Sequence, residues 1–427
     1  MAQLTNDCFA GGGPLMRMAD ALDLILSRLT RITESEVVPL GHAVDRILAA
    51  PVVSAIDVPQ QDNSAVDGYA VYFDDLKPNA ETRLPVAGRA AAGHPLDGPA
   101  RRGTAIRIFT GAVMPGGEGG APGPDTVMMQ EDCRLEGDTV VVMPGITRGA
   151  NRRLRGEDVT AGRTILEAGV RLRPQDIGLA ASVGVTTLHV SQKLRVALFS
   201  TGDELTEPGE PLRTGAIYDA NRFAIMAMLQ QLGCQVTDLG ILPDRREVIR
   251  LSLSAAAQDN DLLITSGGVS VGDEDHVKAA VEALGRLHLW RLAIRPGRPV
   301  ALGQVDTEAG SVPFIGLPGN PVAVMVTFLR IARPMILKLM GARDLAPRMF
   351  RVRSGFGYRK KKERREWLRA RIVPGEDGEL VARKYPHEGA GILTSMVEAD
   401  GLIELPEELV QLSPGDPVDF VPFSELR

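Results

Sequence analysis

The stretch DLLITSGGVSVGDEDHVKAAVEAL, Asp261 to Leu284, decides the fold because it passes from a strand through a glycine-rich loop into a helix. Its first residues, DLLITS, are a short apolar run of the length typical of a buried strand. The residues from about Asp275 to Leu284 have the pattern of an amphipathic helix. A strand, a loop and a helix in this order predict one unit of a parallel sheet that is covered by helices.

The same alternation extends over residues 194–343. Strand-like segments (LRVALFS, CQVTDLG, PFIGL) alternate with helical ones (DANRFAIMAMLQQLG, DRREVIRLSLSAAAQ, PVAVMVTFLRIARPMILKLM). We therefore expect a doubly wound, mostly parallel α/β sheet domain with helices on both faces. Ligands of such sheets bind beyond the carboxyl ends of the strands.

The remaining sequence predicts a multi-domain α/β protein, since 427 residues exceed the size of a single core. Residues 15–55 and 150–193 are expected to form a discontinuous N-terminal mixed α/β domain that begins with a helix. Short β-type runs broken by Gly and Pro predict a β-rich domain, 56–149, inserted into it. Residues 344–427 return to β texture and predict a small C-terminal β-barrel-like domain.

Composition excludes several classes of protein. The 48 Lys and Arg against 54 Asp and Glu give a net charge of −6, which argues against nucleic-acid or anionic-membrane partners. Three widely separated cysteines form no disulfide framework, and no apolar run reaches about 18 residues. We expect a cytoplasmic protein. The sequence also contains no GxxxxGK[ST], HExxH or GxSxG motif.

The glycine-rich loop combines two features that conflict unless a metal is present. Its backbone N–H groups suit an anion, but Asp273, Glu274 and Asp275 would repel one. A structural alternative is that Asp275 caps the following helix while the other two favour its dipole. Glu204 and Asp219 are expected at neighbouring strand ends or helix starts of the same unit, however, and carboxylates beside a phosphate loop are a usual way of holding Mg²⁺.

Two further clusters have functional and structural readings. The segment RPGRP, residues 295–299, has two arginines, Arg295 and Arg298, which suit an oxyanion. The segment GLPGNP is expected at the carboxyl edge of the same sheet. Asn320 and Pro321 in it are also typical of a plain helix start. In the β-rich domain, NSAVDGYA and FTG carry small polar groups. The NRRLRGED run, residues 151–158, could equally be a salt-bridged surface turn.

The order of eight motifs resembles the MoeA-type molybdopterin molybdenumtransferase family, which is related to the gephyrin E domain and its plant counterpart. These motifs are NSAVDGYAV, IFTGA, RGED, FSTGDEL, IYDANR, SGGVSVGDED, PGRP and GLPGNPVA. The resemblance implies insertion of molybdate into adenylylated molybdopterin, with release of AMP. It also implies Mg²⁺ or another divalent cation, a homodimer with its active site at the subunit interface, and transient contact with other molybdenum-cofactor biosynthesis proteins.

The resemblance also assigns roles to individual residues. Five acids would be catalytic: Asp67, Asp158, Glu204, Asp219 and Asp275. Glu204, Asp219 and Asp275 would hold the metal. Substrate would be bound by Thr110, Arg153, Ser266, Gly267, Gly268, Ser270, Arg295, Arg298, Pro318, Pro321, Arg365 and Ser395. Many relatives carry lysines in place of Arg295 and Arg298, which preserves charge but alters geometry.

Two other functions stay open at this point. One is a gephyrin-like binding or scaffold module, against which the intact set of acids argues. The other is a related nucleotide enzyme of the molybdopterin adenylyltransferase type, which shares the SGG loop but lacks the NSAVDGYAV segment.

Overall fold

The structure is a computed structural model, and it describes residues 15–268, 276–297 and 299–426. The first unit is built from two parts of the chain that are remote in sequence. Strand Ser35–Pro39 pairs antiparallel with Thr187–Ser191, and Val52–Val53 pairs with Thr164–Leu166. Helices Met18–Arg28 and Pro174–Ser182 accompany them. The boundaries of this unit at residues 55 and 150 stay predictions.

The β-rich unit between these parts contains a curled six-stranded sheet. Its strands are, in spatial order, Thr126–Met129, Gly68–Val71, Ala105–Ile108, Thr82–Ala90, Thr139–Val142 and Cys133–Glu136. Both of its faces are buried, because Tyr69 and Ala70 belong to different apolar clusters. Gly68 is required here, since a Cβ on it would lie 1.7 Å from the carbonyl oxygen of Met128.

The central unit confirms the predicted fold class. Its six-stranded sheet has the order Gln235–Leu242, Arg195–Thr201, Leu262–Ser266, Gly310–Leu317, Pro299–Thr307 and Gly285–Arg291. The first four strands are parallel and the last two are antiparallel to their neighbours. The covering helices include Ala220–Gln231, Arg246–Asp259, His276–Leu284 and Pro321–Thr327.

Helices cover both faces because strand Arg195–Thr201 buries side chains in both directions. Leu198 lies in one core with Leu229 of helix Ala220–Gln231. Phe199 points the other way, into a core with Leu253 and Val277 of helices Arg246–Asp259 and His276–Leu284. A continuous apolar strand is what a sheet covered on two sides requires.

The last helix of this unit continues past Thr327. It passes through a wider π-helical turn, Phe328–Ala332, and continues as Arg333–Leu339. Pro334 has no N–H to donate to the preceding turn, so the wider turn falls where the α-helical pattern cannot be kept. None of the helices in the described ranges is both long and apolar enough to cross a membrane.

A small closed barrel forms the C-terminal unit, as predicted. Its strands are Phe350–Ser354, Arg365–Pro374, Leu380–Lys384, Gly401–Leu405 and Pro417–Pro422. The barrel closes because Arg365–Pro374 pairs with both Leu380–Lys384 and Gly401–Leu405. The segment Ile294–Arg295 pairs with Arg365–Glu366, which places this barrel beside the carboxyl edge of the central sheet.

Asp176 provides a test of how helix Pro174–Ser182 is stabilised. Its carboxylate accepts hydrogen bonds from the Arg173 backbone N–H at 2.8 Å and from the Arg173 guanidinium at 2.9 and 3.0 Å. The side-chain hydrogen bond from Arg173 lowers the pKa of Asp176, with the backbone hydrogen bond adding to it against the effect of burial. The charged Asp176 carboxylate therefore stabilises the folded protein fully at pH values above the ordinary carboxyl pKa. This stabilisation is lost as the pH falls through the lowered pKa of Asp176.

We expect Asp176→Asn to lower the free energy of unfolding by about 1 kcal/mol at pH 7. The difference from the parent protein should begin to shrink below about pH 4, where the carboxyl of the unfolded chain binds a proton, and should vanish once the pH passes the lowered pKa of the folded parent. Urea unfolding at pH 7 and below about pH 4, followed by circular dichroism, measures the free energy of unfolding of both proteins. The exposed Asp97→Asn is the control, and an equal loss in the two variants would contradict the prediction.

Candidate active site

A cavity of about 740 Å³ lies at the carboxyl ends of the parallel strands, between the central unit and the barrel. This volume is in the range typical of small-molecule sites. On the sheet side it is lined by the loops after four strands, which include Glu204, Asp244, Gly268 and Pro318. On the barrel side it is lined by residues that include Glu366, Arg369 and Glu388. We name it the main cavity.

The glycine-rich loop enters the main cavity through Gly267 and Gly268, as predicted from its position after strand Leu262–Ser266. Both glycines have positive φ, and a Cβ on Gly268 would lie 2.7 Å from the Thr201 side chain. Glycine therefore lets the backbone turn directly beneath the cavity. The N–H of Gly267 donates to the Leu317 carbonyl at 3.1 Å, and Ser266 is buried in the sheet. Ser270 and Asp275 lie outside the described residues.

Two carboxylates line the sheet side of the main cavity. Glu204 is exposed and lies against Gly202 in the loop after strand Arg195–Thr201. Asp244 follows strand Gln235–Leu242, and its carboxylate accepts a hydrogen bond from the Thr201 hydroxyl at 3.3 Å. Asp244 lies in none of the motifs that were singled out from the sequence. Its place just after a parallel strand is the signal that could have found it.

Asp219 lies in a different environment from Glu204. Its side chain is 1 % exposed and caps helix Ala220–Gln231 by accepting from the Arg222 backbone N–H at 3.2 Å. The Arg222 guanidinium donates to Asp219 at 3.1 Å and to Asp238 and Glu207. Asp219 is not one of the residues lining the main cavity, so its role as a metal ligand stays a prediction.

Replacing Asp219 separates a structural role from a metal-binding one. We expect Asp219→Asn to lower the free energy of unfolding by about 1 to 3 kcal/mol, because the buried Arg222 loses a charged hydrogen-bond partner. Thermal unfolding measures the loss, with Asp97→Asn as a control. Calorimetry with Mg²⁺ on the folded variant tests the predicted metal-binding role. A loss of Mg²⁺ affinity of about tenfold or more would support that role, and a titration like that of Asp97→Asn would contradict it.

Arg295 reaches from the central unit to the barrel side of the main cavity. Its guanidinium lies 3.3 Å from a Glu388 oxygen and 3.6 Å from a Glu366 oxygen, and it donates to the Tyr358 hydroxyl at 3.3 Å. Burial acts to raise the pKa of Glu388, but the hydrogen bond and charge of Lys384 and the charge of Arg295 outweigh it and hold that pKa below its ordinary value. Arg298 lies outside the described residues.

The barrel side carries a second arginine that our sequence analysis missed. Arg369 lines the main cavity, is 4 % exposed, and donates to the Ser395 hydroxyl at 2.9 Å and to the His387 and Gly389 carbonyls at 3.0 and 3.2 Å. Ser395, which was predicted as a binding residue, is thus buried behind Arg369 and fixes its position. No signal in RREWLRAR distinguished this arginine from its neighbours.

Three other predicted binding residues can be placed. Arg365 pairs with Glu404 at 2.8 Å and Glu407 at 2.9 Å and does not line the main cavity. Pro318 lines it, and Pro321 begins the following helix. Asn320 lies at the N-cap position of that helix and lines the main cavity, but its side chain makes no capping hydrogen bond.

The predicted residues of the β-rich unit do not line the main cavity of their own chain. Thr110 donates from its N–H and from its hydroxyl to one Asp67 oxygen, both at 2.8 Å. The backbone hydrogen bond from Thr110, followed by the hydroxyl bond, lowers the pKa of Asp67. Arg153 and Asp158 are exposed. This cluster and the main cavity are separate within one chain.

Family models match three consecutive parts of the chain. "MoeA N-terminal region (domain I and II)" matches residues 16–184, "Probable molybdopterin binding domain" matches 197–338, and "MoeA C-terminal region (domain IV)" matches 351–423. Together these matches account for most of the sequence.

Individual relatives agree with the family models. A molybdopterin molybdenumtransferase of Haemophilus influenzae is 37% identical over 414 residues, 96% of this chain and 100% of that protein. One from Nostoc is 38% identical over 349 residues, 80% of this chain and 78% of that protein. The crystal structure of a MoeA protein from Pyrococcus horikoshii has a TM-score of 0.80 at 27% identity, covering 96% of this chain and 100% of that one. The chain therefore belongs to the MoeA family.

Proposed function

We propose that this chain is a molybdopterin molybdenumtransferase, which inserts molybdate into adenylylated molybdopterin and releases AMP. The observation that carries the proposal is the composition of the main cavity. It combines the carboxylates of Glu204 and Asp244 on the sheet side with the guanidinium groups of Arg295 and Arg369 on the barrel side, where Glu366 and Glu388 also line it. A substrate with an anionic pyrophosphate, together with molybdate and a cation, can use both kinds of group. The relatives named as molybdenumtransferases support this choice.

The donor atoms fit a divalent cation such as Mg²⁺. Glu204, Asp244 and Thr201 all line the main cavity and offer oxygen atoms. Within the described ranges no group of three or more His, Cys, Asp or Glu side chains could hold a metal. Mg²⁺ usually takes one or two protein carboxylates, with substrate phosphates and water completing its shell. When bound, the cation would neutralise charge on the phosphoanhydride; Asp275 is proposed as a further ligand.

The two arginines would act differently on an oxyanion. Arg369 is held by a hydroxyl and two carbonyls, so it presents its charge without losing much side-chain freedom. Arg295 is shared between Glu366 and Glu388 and is more exposed. An entering molybdate or phosphate would compete with these carboxylates for Arg295. We assign orientation of the anion to Arg369 and its capture to Arg295.

We also propose a homodimer in which the β-rich unit of one copy completes the site of the other. Asp67, Thr110, Arg153 and Asp158 do not line their own chain's main cavity, so a second copy is the way for them to contribute. Exposed apolar side chains near the loop of Glu204, namely Ile217, Tyr218 and Phe223, favour a protein contact there. A cytoplasmic location and transient contact with other cofactor-biosynthesis proteins are part of the same proposal.

Mixed dimers test the shared site. We expect Glu204→Gln and Asp67→Asn each to be nearly inactive as pure dimers. After the two are unfolded and refolded together, hybrid dimers hold one intact site, and activity should return. If no activity returns in hybrid dimers isolated through a different affinity tag on each variant, the proposal of a site shared between two subunits is wrong.

The activity itself is tested with purified full chain, Mg²⁺, molybdate and adenylylated molybdopterin. We expect AMP, measured by chromatography, to appear when molybdate and the metal are both present and to be suppressed by a chelator. Binding of the substrate without AMP release would indicate a binding or scaffold module instead. Adenylylation of molybdopterin from ATP would indicate an adenylyltransferase.

A further inference from the structure

A second cavity, of about 590 Å³, lies between the N-terminal unit and the last helix of the central unit. Five of its lining residues are arginines, against three acids, which leaves a formal excess of two positive charges. The arginines are Arg171, Arg173, Arg333, Arg343 and Arg348. None of them belongs to the main cavity, so this second cavity is a separate basic site.

Three of the arginines have carboxylate partners. The bonds of Arg173 to Asp176 are described above. Arg171 lies 3.4 Å from an Asp45 oxygen, and Arg343 lies 3.4 Å from an Asp344 oxygen. Arg333 and Arg348 are the two lining arginines that have no carboxylate within ion-pair distance among the described residues.

Arg333 is a buried cation without a carboxylate partner in the described part of the chain. It is 7 % exposed, and it donates to the Leu345 carbonyl at 3.0 Å and the Glu425 carbonyl at 3.3 Å. Its buried Nε has no hydrogen-bond partner among the described residues. Burial, followed by the charges of Arg171 and Arg330, lowers the pKa of Arg333 to about 10, and the charge of Glu425 opposes this shift without cancelling it. A buried charge of this kind is costly until a counter-ion reaches it.

Arg348 is exposed at the rim of the second cavity. It makes no ion pair with any carboxylate of the described ranges, so its guanidinium can turn toward a ligand. Residues 342–344 also line the cavity, and the Arg343 backbone N–H donates to the Gly169 carbonyl at 3.0 Å. An anion here would contact the segment that leads from the central unit into the barrel.

We propose that the second cavity binds a tetrahedral oxyanion through Arg333 and Arg348. Guanidinium groups match the oxygens of phosphate-like anions in geometry and charge. The anion could be inorganic or the phosphoryl end of a larger molecule, for which the cavity has room.

Calorimetry with the full chain at constant ionic strength tests the proposal, with inorganic phosphate and pyrophosphate as probes. We expect Arg348→Gln and Arg333→Met to weaken phosphate binding about tenfold or more. Arg351→Gln removes an exposed arginine just beyond the cavity and should change nothing. Much tighter binding of pyrophosphate than of phosphate would show that the cavity accepts a second phosphoryl group beside the first.

A variant of the main cavity separates the two sites. Arg369→Gln should still bind phosphate in the second cavity, and Arg348→Gln should not. This difference is expected whether or not the proposed activity is correct. The proposal is overturned if neither probe binds, or if Arg348→Gln and the folded Arg333→Met variant titrate like Arg351→Gln.

Discussion

Glu204→Gln and Asp244→Asn are each expected to lower the rate of AMP release by about 10²- to 10³-fold at saturating substrate. Both carboxylates line the main cavity on its sheet side, where the proposed cation and the substrate pyrophosphate would meet. Each substitution removes a negative charge while keeping the size of the side chain. The transition state therefore loses about as much electrostatic stabilisation as it does when one fixed charged or hydrogen-bonding group is removed from an active site.

The measurement is AMP release over a range of Mg²⁺ concentrations. We expect the variants to need more Mg²⁺ for half-maximal rate, which a purely structural change would not produce. Glu210→Gln is a matched control, because Glu210 is exposed in the following segment and does not line the main cavity. If Glu204→Gln and Asp244→Asn both keep the parent rate and the parent Mg²⁺ dependence, the proposed cation site is wrong.

Arg369→Gln is expected to lower kcat/KM for molybdate by about 10²-fold or more. Arg369 is the buried guanidinium of the main cavity, and glutamine cannot supply a positive charge to a dianion. Ser395→Ala should have a smaller effect of the same kind, since it removes one of the hydrogen bonds that hold Arg369 in place. The readout is AMP release at varied molybdate concentration.

Arg371→Gln is the matched control for Arg369→Gln, because Arg371 lies two residues further along the same strand and is exposed. Since Arg369 is buried, thermal unfolding must first show that Arg369→Gln is folded. A folded Arg369→Gln variant with the parent's dependence on molybdate would contradict the assignment of Arg369 to the oxyanion.

Much of the central unit could be predicted from the sequence because its evidence is local. Strand Arg195–Thr201 has an apolar centre, VALF, and helices Arg246–Asp259 and His276–Leu284 are amphipathic. The carboxyl ends of parallel strands lie at one edge, so the positions of Glu204, Gly267 and Pro318 followed from chain order alone.

The same reasoning did not separate Asp219 from Asp244. Both follow strands, but Asp219 caps a helix and contacts the buried Arg222, whereas Asp244 lines the main cavity. Which of the two is accessible depends on the direction of each loop as it leaves the sheet. That direction is set by packing, which has no periodic signature in the sequence.

The sequence by itself thus determined the sheet, its covering helices and most of one side of the main cavity, because apolar periodicity and chain order are sufficient for these features. The other side was decided by tertiary structure. Arg369 rather than Arg365 lines the main cavity because the barrel docks through the pairing of Ile294–Arg295 with Arg365–Glu366, while Glu404 and Glu407 hold Arg365 elsewhere. Contacts between units remote in sequence fix that choice, and a local pattern cannot encode them.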